Sequence, residues 1–179
     1  EFKDRRSFFF SMLFVFMGAM FGLIFSNNMI WMYFFWEITS VCSFLLIGYN
    51  QSKEAVNNSF RALWMNLLGG LGFAIAIYYC VTQLGMVNLQ QLIDMGSAVV
   101  FPVIFLAFAG LTKSAQLPFS GWLLGAMVAP TPTSALLHSA TMVKAGVYLL
   151  IRLAPAMYST WAGLMTTTIG GFTFFVASM

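Results

Sequence analysis

Residues Gly110–Leu150 read GLTKSAQLPFSGWLLGAMVAPTPTSALLHSATMVKAGVYLL, and this stretch decides the fold. It is strongly apolar, yet it carries Lys113, His138 and Lys144, with Pro118, Pro130 and Pro132 between them. A lysine inside a membrane helix costs roughly 2.5–3.5 kcal/mol on insertion scales, so it needs a partner or a water-filled cavity. A proline removes a backbone donor, and at membrane depth the freed groups must find protein or water. Buried ionisable groups beside broken helices are the pattern of an ion pathway.

The rest of the chain has the same character. Of 179 residues, 60% are hydrophobic and 7% charged, with a mean hydropathy of +0.87. Soluble domains carry about 25% charged residues. An all-α integral membrane protein is expected. Nucleic-acid binding would need a basic patch on a soluble face, and none is available. Cys42 and Cys80 fall inside apolar segments and read as small buried hydrophobes; their spacing suits neither a disulfide nor a metal. No Cys or His set for iron–sulfur or haem ligation exists, so no cofactor is expected. Lys3, Asp4, Arg5 and Arg6 precede an apolar run that is too long for a signal peptide and lacks a small-residue cleavage site. With no initial Met and an apolar end at Met179, the chain reads as a piece of a longer protein.

About 20 apolar residues span a bilayer. Ser7–Phe25 is one span and Met29–Tyr49 a second, with Glu37 near mid-depth. Asn50–Ser59 reads as a polar loop, Phe60–Thr82 as the third span, and Gln83–Gly96 as a connection in which NLQQLID forms a short interfacial helix. Ala98–Val128 is too long for one straight span and is split at Leu117-Pro118. Thr133–Leu153 is the fifth span and Tyr158–Met179 begins a sixth. Lys3, Arg5, Arg6, Lys53 and Arg61 fall on one side and Arg152 on the other, which places the N-terminus, the Asn50–Ser59 loop and the Pro130 turn on the cytoplasmic (or matrix) side. Gly18-xxx-Gly22 and Gly121-xxx-Gly125 suggest close helix contacts.

Two strings carry a resemblance: TKSAQLPFSGWLLGAM with APTP and SALLHSATMVKAGVYL, and FFWEITSVCSFLLIGY at Phe34–Tyr49. They resemble the antiporter-like, proton-translocating membrane subunits. These comprise the subunit 5 type of complex I (NADH:quinone oxidoreductase), the large subunit of Mrp-type antiporters, and the membrane subunits of membrane-bound hydrogenases. The resemblance implies a five-helix repeat over residues 7–153 and the first helix of the next, inverted repeat over residues 158–179, truncated. It implies other membrane subunits as partners, within a lipid bilayer, and protons or sodium ions as cargo. The MVKAG string at Lys144, and Asn66 and Gly69 in the third span, are closer to the Mrp and hydrogenase types. That favours a prokaryotic plasma membrane over a mitochondrial inner membrane.

The candidate ion-path residues are Glu37, Lys113, His138 and Lys144, with Pro118 as the helix break and Gln116, Thr141 and Tyr148 as polar support. By helical spacing Tyr33, Glu37, Ser40 and Phe44 share a face, and so do Ala109, Lys113, Gln116 and Ser120. In the family the matching lysine carries the proton and pairs with the glutamate similar to Glu37. His138 belongs to a polar seam with Ser134, Thr141, Ala145, Tyr148 and Arg152. Lys144 lies about 240° further round the helix and so on another face. Three readings remain open: an ion-translocating subunit with no redox chemistry of its own, a structural subunit whose charges lock helices together, and a solute transporter. The last would need a polar substrate pocket. Protons and sodium are not separated by the sequence.

Overall fold

Helices form wherever the apolar runs allow, because the backbone must satisfy itself where water is absent. The computed structural model describes residues 5–179, the side chains of Ser139 and Ala140 excepted. Lys3 and Asp4, part of the N-terminal charged cluster, lie outside the described residues.

The first two helices are α1 (Arg6–Phe25) and α2 (Met29–Ile47), which a 3-10 turn Gly48–Asn50 prolongs. α1 buries Phe9, Phe16, Met20 and Leu23 and turns its other phenylalanines outward, one apolar stripe on a helix that is apolar all round. Asn28 caps α2 by accepting from the Ile30 and Trp31 amides.

α3 (Lys53–Gln83) runs for 31 residues, and here the structure corrects the sequence reading. Asn50–Ser59 is not a polar loop: helix begins at Lys53, where the Ser52 hydroxyl accepts from the Ala55 amide. A serine cap with Glu54 in the first turn favours helix over loop. At 1.5 Å per residue α3 is about 46 Å long, against roughly 30 Å of hydrocarbon. Its polar first turns are the surplus.

α4 (Leu89–Asp94) is the expected short helix. α5 (Val100–Lys113) follows a 3-10 turn Gly96–Val99. After an interruption come α6 (Gly121–Gly125) with the turn Ala126–Val128, then α7 (Thr131–Ala135), a π-helical turn Leu136–Ala140, and α8 (Met142–Met157). The fifth span is therefore interrupted too, which the sequence pattern does not announce. α8 runs through Pro155 to Met157 instead of stopping at Leu153; a proline this close to a helix end removes little of the ladder. α9 (Trp161–Ala177) is shorter than the expected sixth span.

Among the described residues five helical segments are long and apolar enough to cross a membrane, and α9 is a shorter apolar helix. α2 packs between α1 and α3, α5 between α3 and α8, and α8 touches α1, so five elements surround one interior. Arg5, Gly48, Gln51 and Val56 meet at one end. Arg152 lies at the other, beside Ser26 and Asn27. There Met29 N donates to Val87 O and Leu89 N to Asn27 O, tying the α1–α2 turn to the start of α4. Gly121 packs against Arg61 and Gly125 against Asn58, as expected of close contacts, and Gly22 against Phe35; Gly18 meets nothing.

Candidate functional site

The site begins where α5 stops. Ala115 adopts a left-handed conformation (φ 54°); its amide donates to Thr112 O at 3.2 Å and the Gln116 amide to Leu111 O at 3.1 Å. This is the Schellman arrangement, here with Ala in the place glycine usually takes. A non-glycine residue in this region costs roughly 1–2 kcal/mol, so the surroundings enforce the stop. The helix thus ends at Lys113, before Pro118. Gln116 and Ser120 consequently do not share a helix face with Lys113; Gln116 Nε2 donates to Ser114 O instead. Trp122 Nε1 donates to Thr112 O at 3.0 Å, and the Leu117 amide donates to Thr173 Oγ1 of α9 at 3.0 Å. Backbone groups freed at the interruption are thereby taken up by protein.

Lys113 is fully buried (0% exposed). Its ammonium donates to Trp36 O at 2.8 Å and to Ser40 Oγ at 3.0 Å, and it stands 4.4 Å from the centroid of the Trp36 ring. The Trp36 carbonyl also accepts from Thr39 Oγ1 and Ser40 Oγ. Ser40 is one turn beyond Trp36, so carbonyl and hydroxyl lie on one face of α2 and make a seat for a cation. A ring face adds a favourable electrostatic term, up to ~2 kcal/mol where water is excluded.

Glu37 comes close to this seat but does not occupy it. Among the described residues no hydrogen bond or ion pair joins Glu37 to Lys113, and the carboxylate atom Oε1 is buried without a hydrogen-bond partner. The reason is rotation: neighbouring residues on a helix diverge by about 100°, so Trp36 faces α5 while Glu37 turns to Gly70 of α3. A Cβ on Gly70 would collide with Glu37 Oε1, and one on Gly69 with Thr112 Oγ1. The expected pair is therefore not in direct contact: the Lys113 ammonium is held by the Trp36 carbonyl and the Ser40 hydroxyl, with Glu37 one residue round the helix. Glu37 also lines an apolar groove of about 570 Å³ between α1 and α2, with Met12, Val15, Tyr33 and Val41.

The remaining expected residues divide. His138 sits in the π-helical turn, half-buried, and its Nε2 is buried without a partner. Thr141, at the end of that turn, donates through Oγ1 to Leu136 O. Tyr148 donates to Ile24 O at 2.7 Å, so its hydroxyl closes the end of α1. Arg152 donates to Tyr148 and to Asn27 Oδ1. Lys144 is exposed and borders a groove of about 290 Å³ between α1 and α8, with Met17, Phe21 and Thr141. Sequence reasoning missed the Trp36 carbonyl and ring, Ser40 as a ligand of Lys113, Trp122 and Thr173. Only Trp36, beside Glu37 and near a lysine that must be buried, left a signal in the sequence.

A bundle of membrane-length helices with a buried lysine at a broken helix defines a class: polytopic membrane proteins with an ionisable interior. Within it the chain belongs to the family described as NADH:quinone oxidoreductase/Mrp antiporter, transmembrane, whose model matches residues 26–179. It is 40% identical over 185 residues to the Na(+)/H(+) antiporter subunit A1 of Staphylococcus saprophyticus, covering 99% of this chain and 23% of that protein. A subunit A1 of Staphylococcus aureus is also 40% identical, over 96% of this chain and 22% of its own length. Among solved structures, the Mrp complex from Dietzia sp. DQ12-45-1b superposes with a TM-score of 0.81 at 34% identity, covering 89% of this chain and 18% of that one. A membrane-bound sulfane sulfur reductase, an archaeal respiratory membrane complex, shares the fold at TM-score 0.78 and 21% identity, over 88% of this chain and 33% of that one. The chain is an integral membrane protein spanning about a quarter of the curated relatives' length.

Proposed function

We propose that this chain is the ion-carrying part of the large membrane subunit of an Mrp-type cation/proton antiporter, and that Lys113 is its proton carrier. The observation that carries this reading is the Lys113 seat: an ammonium with no exposure, at the end of a broken helix, held by one carbonyl, one hydroxyl and one ring. A charge removed from water favours its neutral form, whereas a carboxylate nearby favours the charged one. Small movements of α2 against α5 then change proton affinity, which is what coupled transport requires. Glu37 supplies the opposing field. His138, with an unpartnered Nε2, extends the path along the π-helical turn, and Lys144 continues it toward the α1–α8 groove. Thr141 and Tyr148 support the path by holding the π-turn and the end of α1.

In this reading residues 7–153 form one five-helix unit and residues 158–179 open the next. The end bearing Arg5 and Lys53 faces the cytoplasm of a prokaryotic cell. The other subunits of an Mrp-type complex are the partners, and protons, with sodium as the counter-ion, are the cargo. The similarity to sodium/proton antiporter subunits supports this. A structural lock is the competing reading, favoured by the two hydrogen bonds that already satisfy Lys113.

Lys113→Met separates the two. In vesicles reconstituted with assembled complex, the carrier reading predicts a loss of transport per assembled complex on the order of 10²-fold or more, the scale for deleting a proton-transfer group. The lock reading predicts loss of assembly, with transport per assembled complex unchanged.

A further inference from the structure

We infer that Thr173 of α9 is a positioning residue for Lys113, acting through the Leu117 amide. This inference rests on the reading of Lys113 as the carrier. Ala162 is the buried residue of α9, and among residues 171–179 Thr173 alone is half-buried. Ala162, Met165, Ile169 and Thr173 share one face of α9 at helical spacing, and Ala162 and Met165 pack into the core. Three of these are apolar, and the polar fourth sits opposite the interruption.

Its hydroxyl both donates and accepts. Thr173 Oγ1 donates to Ile169 O at 2.7 Å and accepts from Leu117 N at 3.0 Å. The first bond fixes the direction of the lone pairs; the second holds a backbone donor that the end of α5 has released. Leu117 is four residues beyond Lys113, and between them lie the left-handed Ala115 and the Schellman bonds that end the helix. Without an acceptor at Thr173, the Leu117 amide lies at the interruption with no other bond. Holding the Leu117 amide fixes the path of residues 114–117, and with it the Schellman bonds that close the helix whose last residue is Lys113. The hydroxyl of α9 thus stabilises the conformer in which the ammonium is seated.

The test uses the full-length subunit in its assembled complex. Thr173→Val keeps shape and removes the acceptor; Thr173→Ser restores the acceptor; Thr173→Cys offers a weak one. Amide hydrogen exchange is followed by mass spectrometry on the peptide spanning Leu117, and ion transport is measured in reconstituted vesicles. The expected result is faster exchange at that peptide and roughly five-fold slower transport in Thr173→Val, the scale of one lost hydrogen bond. Thr173→Ser should match the unaltered protein in both, with Thr173→Cys between. Faster exchange with unchanged transport would overturn the inference, and so would exchange unchanged in Thr173→Val. If Thr173→Val does not assemble, the graded pair Ser and Cys decides: equal exchange and equal transport in the two overturns it. Lys113→Met is run alongside. Transport surviving in that variant would defeat the carrier reading itself, independently of what exchange at Leu117 shows.

Discussion

The two interruptions in this bundle are built in opposite ways. The first, Ser114–Ser120, ends α5 with a Schellman pair, and Trp122 and Thr173 take up Thr112 O and Leu117 N. The second, Leu136–Ala140, is a π-helical turn without a proline, after which Thr141 departs from helical geometry (φ −139°, ψ −64°). The first encloses a lysine whose ammonium is bonded. The second presents a histidine whose Nε2 is buried and unbonded. A satisfied break holds a charge still. An unsatisfied one leaves a donor or acceptor available, and single-turn π-bulges are frequent at functional sites. The helix that follows the second interruption packs on the end of the one that precedes the first: Gly146 of α8 lies directly against Gly110 O and Ser114 N.

That contact gives the largest expected effect. Gly146→Ala drives a Cβ into two backbone groups, which cannot rotate away as a side chain would. Overpacking of this kind costs about 1–3 kcal/mol. The purified complex should melt at lower temperature, and transport should fall with it, because α8 is pushed off the end of α5 that bears Lys113. Gly18→Ala is the control: a Cβ added there meets nothing within 4 Å, so melting and transport should not change. An equal loss in both variants would mean that the small-residue contact between α5 and α8 has no special weight.

A smaller effect is expected from Trp122→Phe, which makes the first interruption resemble the second. An aromatic ring stays in place, but the indole donor to Thr112 O is gone. One such bond contributes ~1 kcal/mol. Hydrogen exchange around Ser114 and Ala115 should rise while the melting temperature drops modestly. Unchanged exchange there would show that the Schellman pair alone closes the break.

Legibility in the sequence followed the physics of each feature. Membrane helices were legible because about 20 apolar residues leave a composition signal. The break near Pro118 was legible because proline and a buried lysine announce it. The π-turn around His138 was not, since no residue there forbids a regular helix. The start of α3 reads as a loop because polar residues suit either state; the Ser52 cap decides for helix. Lys113 was legible as buried, but its partner was not: the choice between Glu37 and the Trp36 carbonyl is a matter of helix rotation by one residue. Thr173 was illegible, since a threonine in an apolar helix reveals nothing until the opposing amide is known.

The central claim is that the charges around Lys113 carry an ion and do not merely lock helices together. The double substitution Glu37→Gln with Lys113→Met tests it most directly. Removing one member of a buried charge set typically costs about 3–5 kcal/mol, because the other is left uncompensated, whereas removing both is far less harmful. The doubly substituted subunit should therefore assemble, as judged by co-purification of the complex. Proton uptake by proteoliposomes containing that complex should remain at background. Assembled complex that takes up protons at the unaltered rate would contradict the account.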